Sequence, residues 1–269
     1  MRSHYRFNER QAMWEKEAEA AGKAAGEAGR ILLNFFGKNP ATRKKGEIDL
    51  VTDADLRSEE AVVRILRNRF PKDAVLAEES GESRPLAERV WIVDPLDGTT
   101  NFAHSFPFFA VSIGLQVEGE IVVGVVFNPV LNERYEAVRG KGSYLNGTRL
   151  AVSGVTTLQD SLLATGFPYT IHEDPDRVLR NFRKLITKAQ GVRRPGAAAL
   201  DLCLVAAGVF DGFWEEGLKP WDTAAGVVIV EEAGGKLTTY EGTPFAPHEK
   251  TVVASNSLIH EPLLATLRG

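Results

Sequence analysis

A chain of 269 residues can bury one large core or two packed halves, and a composition of 43% hydrophobic and 25% charged residues excludes a disordered polymer. The 36 acidic and 32 basic residues leave a formal charge of -4, so no overall field draws the chain to nucleic acid or to an anionic membrane. The single cysteine, Cys203, excludes an internal disulfide framework and reads as a small buried side chain in a reducing compartment. The N-terminal stretch is charged throughout and lacks the apolar centre of a signal peptide, and no run approaches the ~20 apolar residues of a membrane span. The expected location is the cytoplasm.

The first predicted element is a helix over Glu9 to Phe36, with Ala21, Ala25, Ala28, Leu32, Phe35 and Phe36 near helical spacing and Gly37 as its stop. Gly22, Gly26 and Gly29 along it are expected to permit close packing. A second helix runs from Thr52, its cap, with Asp55 three residues on, and ends before Pro71. Strands follow at AVLAE and VWIVD, then a meander of FAVSIGLQV, EIVVGVVFN and ERYEAVR, with turns at Glu118-Gly119 and Asn128-Pro129. In the second half, DPDRVLRNFRKLITKA and AAALDLCLVAAGVF read as helices and GFWEE as a short strand. WDTAAGVVIVEEAGG reads as a helix starting at Asp222 and closed by glycines, KLTTY and TVVAS as strands, and SLIHEPLLATLR as a closing helix. Paired helices around mixed strands predict an α+β or layered α/β fold, a single unit over residues 1–269 with a soft internal boundary at Ser153 to Gln159.

Acids recur where these elements end: Asp53 and Asp55 at a helix start, Glu78 and Glu79 after a strand, Asp94 and Asp97 after a strand, and Asp222 at a helix start. Each has a local alternative. Asp222 could cap its helix, Asp94 and Asp97 could belong to a proline turn, Asp55 could complete a capping box, and Glu78-Glu79 could be a solvated loop. Apolar neighbours argue against four separate accidents, since Leu76-Ala77, Trp91 to Val93 and Trp221 precede three of the groups. If the strands are neighbours, the carboxylates converge, and converging carboxylates repel unless a hard cation or a shared proton compensates. The five histidines are scattered and the cysteine is alone, which gives zinc little support. Oxygen ligands alone point to Mg²⁺ or Mn²⁺, whose typical work is to bind phosphate and activate water.

The stretch WIVDPLDGTTNF makes the expectation specific. Asp94 can bridge two cations, the Leu96 carbonyl adds an oxygen between Asp94 and Asp97, and Pro95 fixes the spacing. Gly98, Thr99 and Thr100 open a short helix whose free N–H groups can receive a phosphate. Either threonine could instead simply cap it.

These residues resemble a known family. DPLDGTTNFAHSFPFFAVSIGL and WDTAAGVVIVEEAGG closely match the two signature motifs of the inositol monophosphatases, AEES and DLVTDAD match the other metal-site segments, and the likeness runs from about Gly22 to the C-terminus. The resemblance implies an α-β-α-β-α sandwich, shared with fructose-1,6-bisphosphatase, in a homodimer that hydrolyses phosphate monoesters with two or three Mg²⁺ ions and is often inhibited by lithium. Carried over by motif, Glu78, Asp94 and the Leu96 carbonyl would hold one ion, and Asp94, Asp97 and Asp222 a second, with Glu78 helping a weaker third. Asp55 and Thr99 would orient and deprotonate the attacking water. The amides of Gly98 and Thr99 would meet the phosphate, while Glu215 and the backbone of Gly196, Ala197 and Ala198 would contact substrate. Lys44 or Lys45 would lie on a mobile loop, and Asp53 takes no role.

The metal residues are common to relatives that act on inositol phosphates, fructose 1,6-bisphosphate, histidinol phosphate or adenosine 3′,5′-bisphosphate. The compact length and the GTTNFAHSFPFFAVSIGL stretch favour inositol monophosphate, with fructose 1,6-bisphosphate or histidinol phosphate as alternatives. A different class of function, an interaction protein of the transcription machinery, would use the basic stretches TRKK and GVRRPG, although intact site carboxylates argue against a purely structural role.

Overall fold

An alanine-rich face organises the start of the chain. In the computed structural model, which describes residues 14–38, 42–44, 50–82 and 87–269, α1 (Glu15–Phe35) buries Ala21, Ala25, Ala28 and Leu32. These small side chains seat the helix on a sheet and on α2. Of the three glycines expected to permit close packing, Gly29 does so, since a Cβ there would meet the Phe127 ring; at Gly22 and Gly26 nothing among the described residues lies within 4 Å of that position. Two short strands, β1 (Thr42–Lys44) and β2 (Leu50–Thr52), pair antiparallel ahead of α2 (Asp53–Arg69). The expected cap at Thr52, and Lys44 and Lys45, fall outside the side chains that the structure describes.

The first sheet comprises β3 (Ala74–Ala77), β4 (Gly81–Glu82), β5 (Arg89–Asp97) and, beyond the one-turn helix α3 (Thr99–Ala103), the meander β6 (Ala110–Val117), β7 (Glu120–Asn128), β8 (Glu133–Val138), β9 (Gly142–Leu145) and β10 (Thr148–Arg149). Its order is β10-β9-β8-β7-β6-β5-β3-β4, with β3 and β5 parallel and the other pairs antiparallel. The second sheet follows, from β11 (Leu162–Thr165), α4 (Pro175–Ile186), β12 (Gly191–Arg193), α5 (Ala198–Ala206), β13 (Gly212–Glu216), α6 (Pro220–Glu232), β14 (Lys236–Thr238) and β15 (Thr251–Ser255) to α7 (His260–Arg268). Its order is β12-β11-β13-β15-β14.

The layers follow from which faces are apolar. Trp91 and Val93 of β5 face α1 and α2, whereas Ile92 faces the central layer made by α5 and α6. Phe213 of β13 enters that layer from the other sheet, and Trp214 packs outward with α4 and α7. The result is the expected α-β-α-β-α sandwich. Alternation then fixes a functional detail, because residues two apart on a strand share a face: Asp94 follows Ile92, and Glu215 follows Phe213, into the central layer. Two glycines let α6 sink onto the sheet, since a Cβ at Gly114 would approach that of Ala224 to 2.9 Å and one at Gly124 would collide with the Ala225 carbonyl.

Some boundaries differ from the sequence reading. β5 continues through Asp97 instead of ending at Asp94, with an irregular register between Asp94 and Asp97. α6 starts at Pro220, which presets the first turn, so Asp222 is its third residue rather than its first. Strands β11 and β12, three or four residues each, carry too few residues for periodicity to reveal them.

Candidate active site

Glu78 leaves the end of β3 with its N–H on the Val93 carbonyl at 3.2 Å, beside Asp94. Asp94 and Asp97 are 2% and 8% exposed. The Asp94 carboxylate accepts the Leu96 N–H at 2.9 Å, an Asx-type bond that curls the strand end around Pro95. Asp97 accepts the Ala199 N–H at 2.8 Å and so ties β5 to the start of α5. Asp222 reaches back within its own first turn to the Lys219 N–H at 2.6 Å. It therefore completes a capping box from the third helical position instead of serving as the N-cap, and also stands in the cleft with Asp94, Asp97 and Glu78. Asp55 is buried in the first turn of α2, and one oxygen each from Asp55, Glu78 and Glu79 lie within 4.8 Å of one another. Glu79, given no separate role from sequence, thus joins the acids.

The electrostatics measure the crowding. Burial pushes the Asp94 carboxyl well above its ordinary range, and Glu78, Asp97, Asp222 and Asp55 each push it further. Asp97 is raised by burial and by Asp222, against the lowering effect of the Ala199 and Ala198 amides. A crowd of oxygens that raises its own central member is the setting a hard dication relieves, and the donor set is wholly oxygen. The residues therefore fit a metal.

Around this floor lies a cleft of about 470 Å³. Gly98 caps α3 at φ +88°, with the Phe108 carbonyl 3.0 Å from where a Cβ would sit, so only glycine allows the turn. Thr99 donates its hydroxyl to the Leu96 carbonyl at 3.0 Å, joining two residues assigned to one site. Gly196, Ala197 and Ala198 line the cleft beside Gly98, held by Asn101, whose amide donates to the carbonyls of Phe108, Pro195 and Gly196.

Glu215 enters from the second sheet. It lies on the central strand of that sheet and is 7% exposed, which excludes an edge-strand acid in water. Its carboxylate occupies the space a side chain at Gly166 would need. Burial raises it to about 8, Asp222 adds to this, and Arg194 opposes it. Arg194, read from sequence only as part of a basic stretch, lines the cleft and lies over the Phe167 ring. Phe167 and Tyr169 complete the mouth, and nothing in their spacing distinguishes them from a surface loop.

A family model described as the inositol monophosphatase family matches residues 13–269. An inositol-1-monophosphatase of Synechocystis sp. is 43% identical, over 93% of this chain and 88% of its own length. A Nus factor SuhB of Pseudomonas aeruginosa is 41% identical, over 91% and 93%. The solved structure of an inositol monophosphatase from Anabaena superposes with a TM-score of 0.87 at 42% identity, covering 94% of this chain and 96% of that one. Near-complete coverage by the family model, by relatives and by fold gives one conclusion: this chain belongs to the inositol monophosphatase family.

Proposed function

We propose that the protein is a Mg²⁺-dependent phosphatase that hydrolyses inositol monophosphate to inositol and phosphate. The observation that carries this reading is the convergence of Asp55, Glu78, Asp94, Asp97 and Asp222 at one end of a cleft whose other wall bears Glu215. Glu78, Asp94, Asp97, Asp222 and the Leu96 carbonyl would hold the ions, which when bound lower the pKa of water and offset negative charge on phosphate and alkoxide. Asp55 accepts the proton of the attacking water, and the Thr99 hydroxyl, steadied on Leu96, orients that water. The Gly98 and Thr99 amides orient the phosphate. Glu215 accepts hydrogen bonds from the substrate hydroxyls in its ionised form, which burial disfavours, which Arg194 favours, and which cations on Asp222 and Asp97 would favour further by offsetting the charges that raise it; the Gly196 to Ala198 backbone lines the cleft nearby.

Phosphate release from a panel of phosphate monoesters, fructose 1,6-bisphosphate included, with Mg²⁺ present and then chelated, tests the assignment. Preference for fructose 1,6-bisphosphate or histidinol phosphate would replace the substrate, and release that survives chelation would remove the metal. The reading includes a cytoplasmic homodimer, checked by sedimentation velocity; among the described residues no helix is long and apolar enough to cross a membrane. A second reading, binding to the transcription machinery, is favoured by the Nus factor SuhB names of relatives at 41% and 40% identity. It requires direct binding of the purified protein to purified RNA polymerase or Nus proteins.

A further inference from the structure

One turn beyond Asp55, α2 carries two side chains to which the reaction above gives no role. Ser58 and Glu59 are 0% and 5% exposed. The Ser58 hydroxyl donates to the Pro95 carbonyl at 2.8 Å, inside the irregular end of β5 between Asp94 and Leu96. Glu59 uses both carboxylate oxygens on the loop after β3, where Oε2 accepts the Glu79 N–H at 2.8 Å and Oε1 accepts the Ser80 N–H at 3.0 Å. A largely desolvated carboxylate that meets two successive backbone amides fixes the peptide planes immediately after Glu78. Asp55 and Glu59, four residues apart, share a helix face. One helix therefore supplies an acid to the cluster and grips two of the three segments that supply the others, the third being the first turn of α6 with Asp222.

We infer that Glu59, with Ser58 beside it, is a positioning residue for the cation site. It holds the Glu78-Glu79 loop, and Ser58 the Asp94–Asp97 segment, at the spacing a dication needs before the ion arrives, against the mutual repulsion of the acids. This rests on the metal-dependent reading proposed above. A role confined to the fold would lower thermal stability alone; a positioning role lowers metal affinity.

The test is calorimetric titration of the full-length protein with Mg²⁺ in the absence of substrate, for wild type, Glu59→Gln and Ser58→Ala. Glu59→Gln keeps the shape but turns an N–H toward one loop amide, and Mg²⁺ binding is expected to weaken roughly 10- to 100-fold. Ser58→Ala removes one neutral hydrogen bond, and about a fivefold loss is expected. In phosphate release, the Mg²⁺ concentration for half-maximal rate rises in parallel, while kcat at saturating Mg²⁺ largely recovers. If Glu59→Gln fails to fold, Ser58→Ala decides alone. Unchanged Mg²⁺ affinity in the folded variants, with or without a lower melting temperature, overturns the inference. A wild type that takes up no Mg²⁺ overturns it together with the proposed function. A wild type that binds Mg²⁺ and hydrolyses no monophosphate overturns only that function, and the two variants still decide the brace.

Discussion

Two buried polar clusters lie in different layers of this molecule, and they are satisfied in opposite ways. In the outer layer of the second sheet, His260 is fully buried between two hydroxyls, with Nε2 2.9 Å from Thr238 Oγ1 and Nδ1 2.8 Å from Ser255 Oγ. Ser255 accepts the Ser257 N–H and so turns its own proton toward Nδ1, while Thr238 donates to the Thr239 carbonyl and accepts from Nε2. Every position of the ring is matched within the chain. At the floor of the cleft the reverse holds: Asp94 is surrounded by four other carboxylates that all disfavour its charge. The first cluster is complete as folded and serves stability. The second is arranged against its own stability, which marks it as built for something the chain does not contain.

Substitution should separate the two. The largest effect is expected from Asp94→Asn, which should lower phosphate release by several orders of magnitude because on the proposed reading this one carboxylate would serve two ions. In chelator, the same variant should melt no lower than wild type, since the asparagine oxygen still accepts the Leu96 N–H while the repulsion is gone. A variant that keeps near-normal turnover, or one that melts markedly lower in chelator, would break the contrast. Next, Glu215→Gln should reduce kcat/KM for inositol 1-phosphate roughly 10- to 100-fold, the scale of one or two charge-assisted hydrogen bonds. Hydrolysis of a simple aryl phosphate should change little, and equal losses on both substrates would place Glu215 with the metal-site acids instead.

His260→Ala should show the opposite profile. It leaves two hydroxyls and a cavity behind, for a loss of about 2–4 kcal/mol in urea denaturation, with kcat for folded protein near wild type. The smallest effect concerns pH. Burial lowers the His260 pKa from its ordinary 6.5 to about 4, with Lys236 next in size and Arg268 acting the same way against Glu261. Below 6.5 the unfolded chain takes up a proton that the folded chain refuses, so the stabilisation is complete above 6.5 and declines as pH falls toward 4. Denaturation midpoints across that window should fall more gently in His260→Gln than in wild type.

The sequence made some of this legible and hid the rest for physical reasons. The meander strands, α5, α6 and the acids of the signature stretches could be read because periodicity and local turn chemistry are written over neighbouring residues. That Asp94 and Glu215 share a layer could not, because it depends on two sheets facing each other across α5 and α6. Arg194 and Glu59 escaped for a related reason, while Glu79 is legible as one of the acids at a strand end but without a role. An acid on a helix face or an arginine in a basic run looks like solvated charge until the fold shows which loop amide, ring or cleft it meets. The expectation of three packing glycines on α1 failed at Gly22 and Gly26 because no described residue comes close to either.

The glycines beneath α6 lead somewhere else. Asp222 hangs from the first turn of that helix, and its Trp221 carbonyl is met by the Ser112 hydroxyl at 3.3 Å, from the strand position paired with Asp94. How far Asp222 stands from the β5 acids is therefore decided by how deeply the helix seats, and two absent side chains, at Gly114 and Gly124, set that depth. They act as a gauge block for a gap they never touch. A single methyl at either position would change the tolerance of the whole assembly without altering one charge, so the calibration of the site is written in uncharged residues of the sheet.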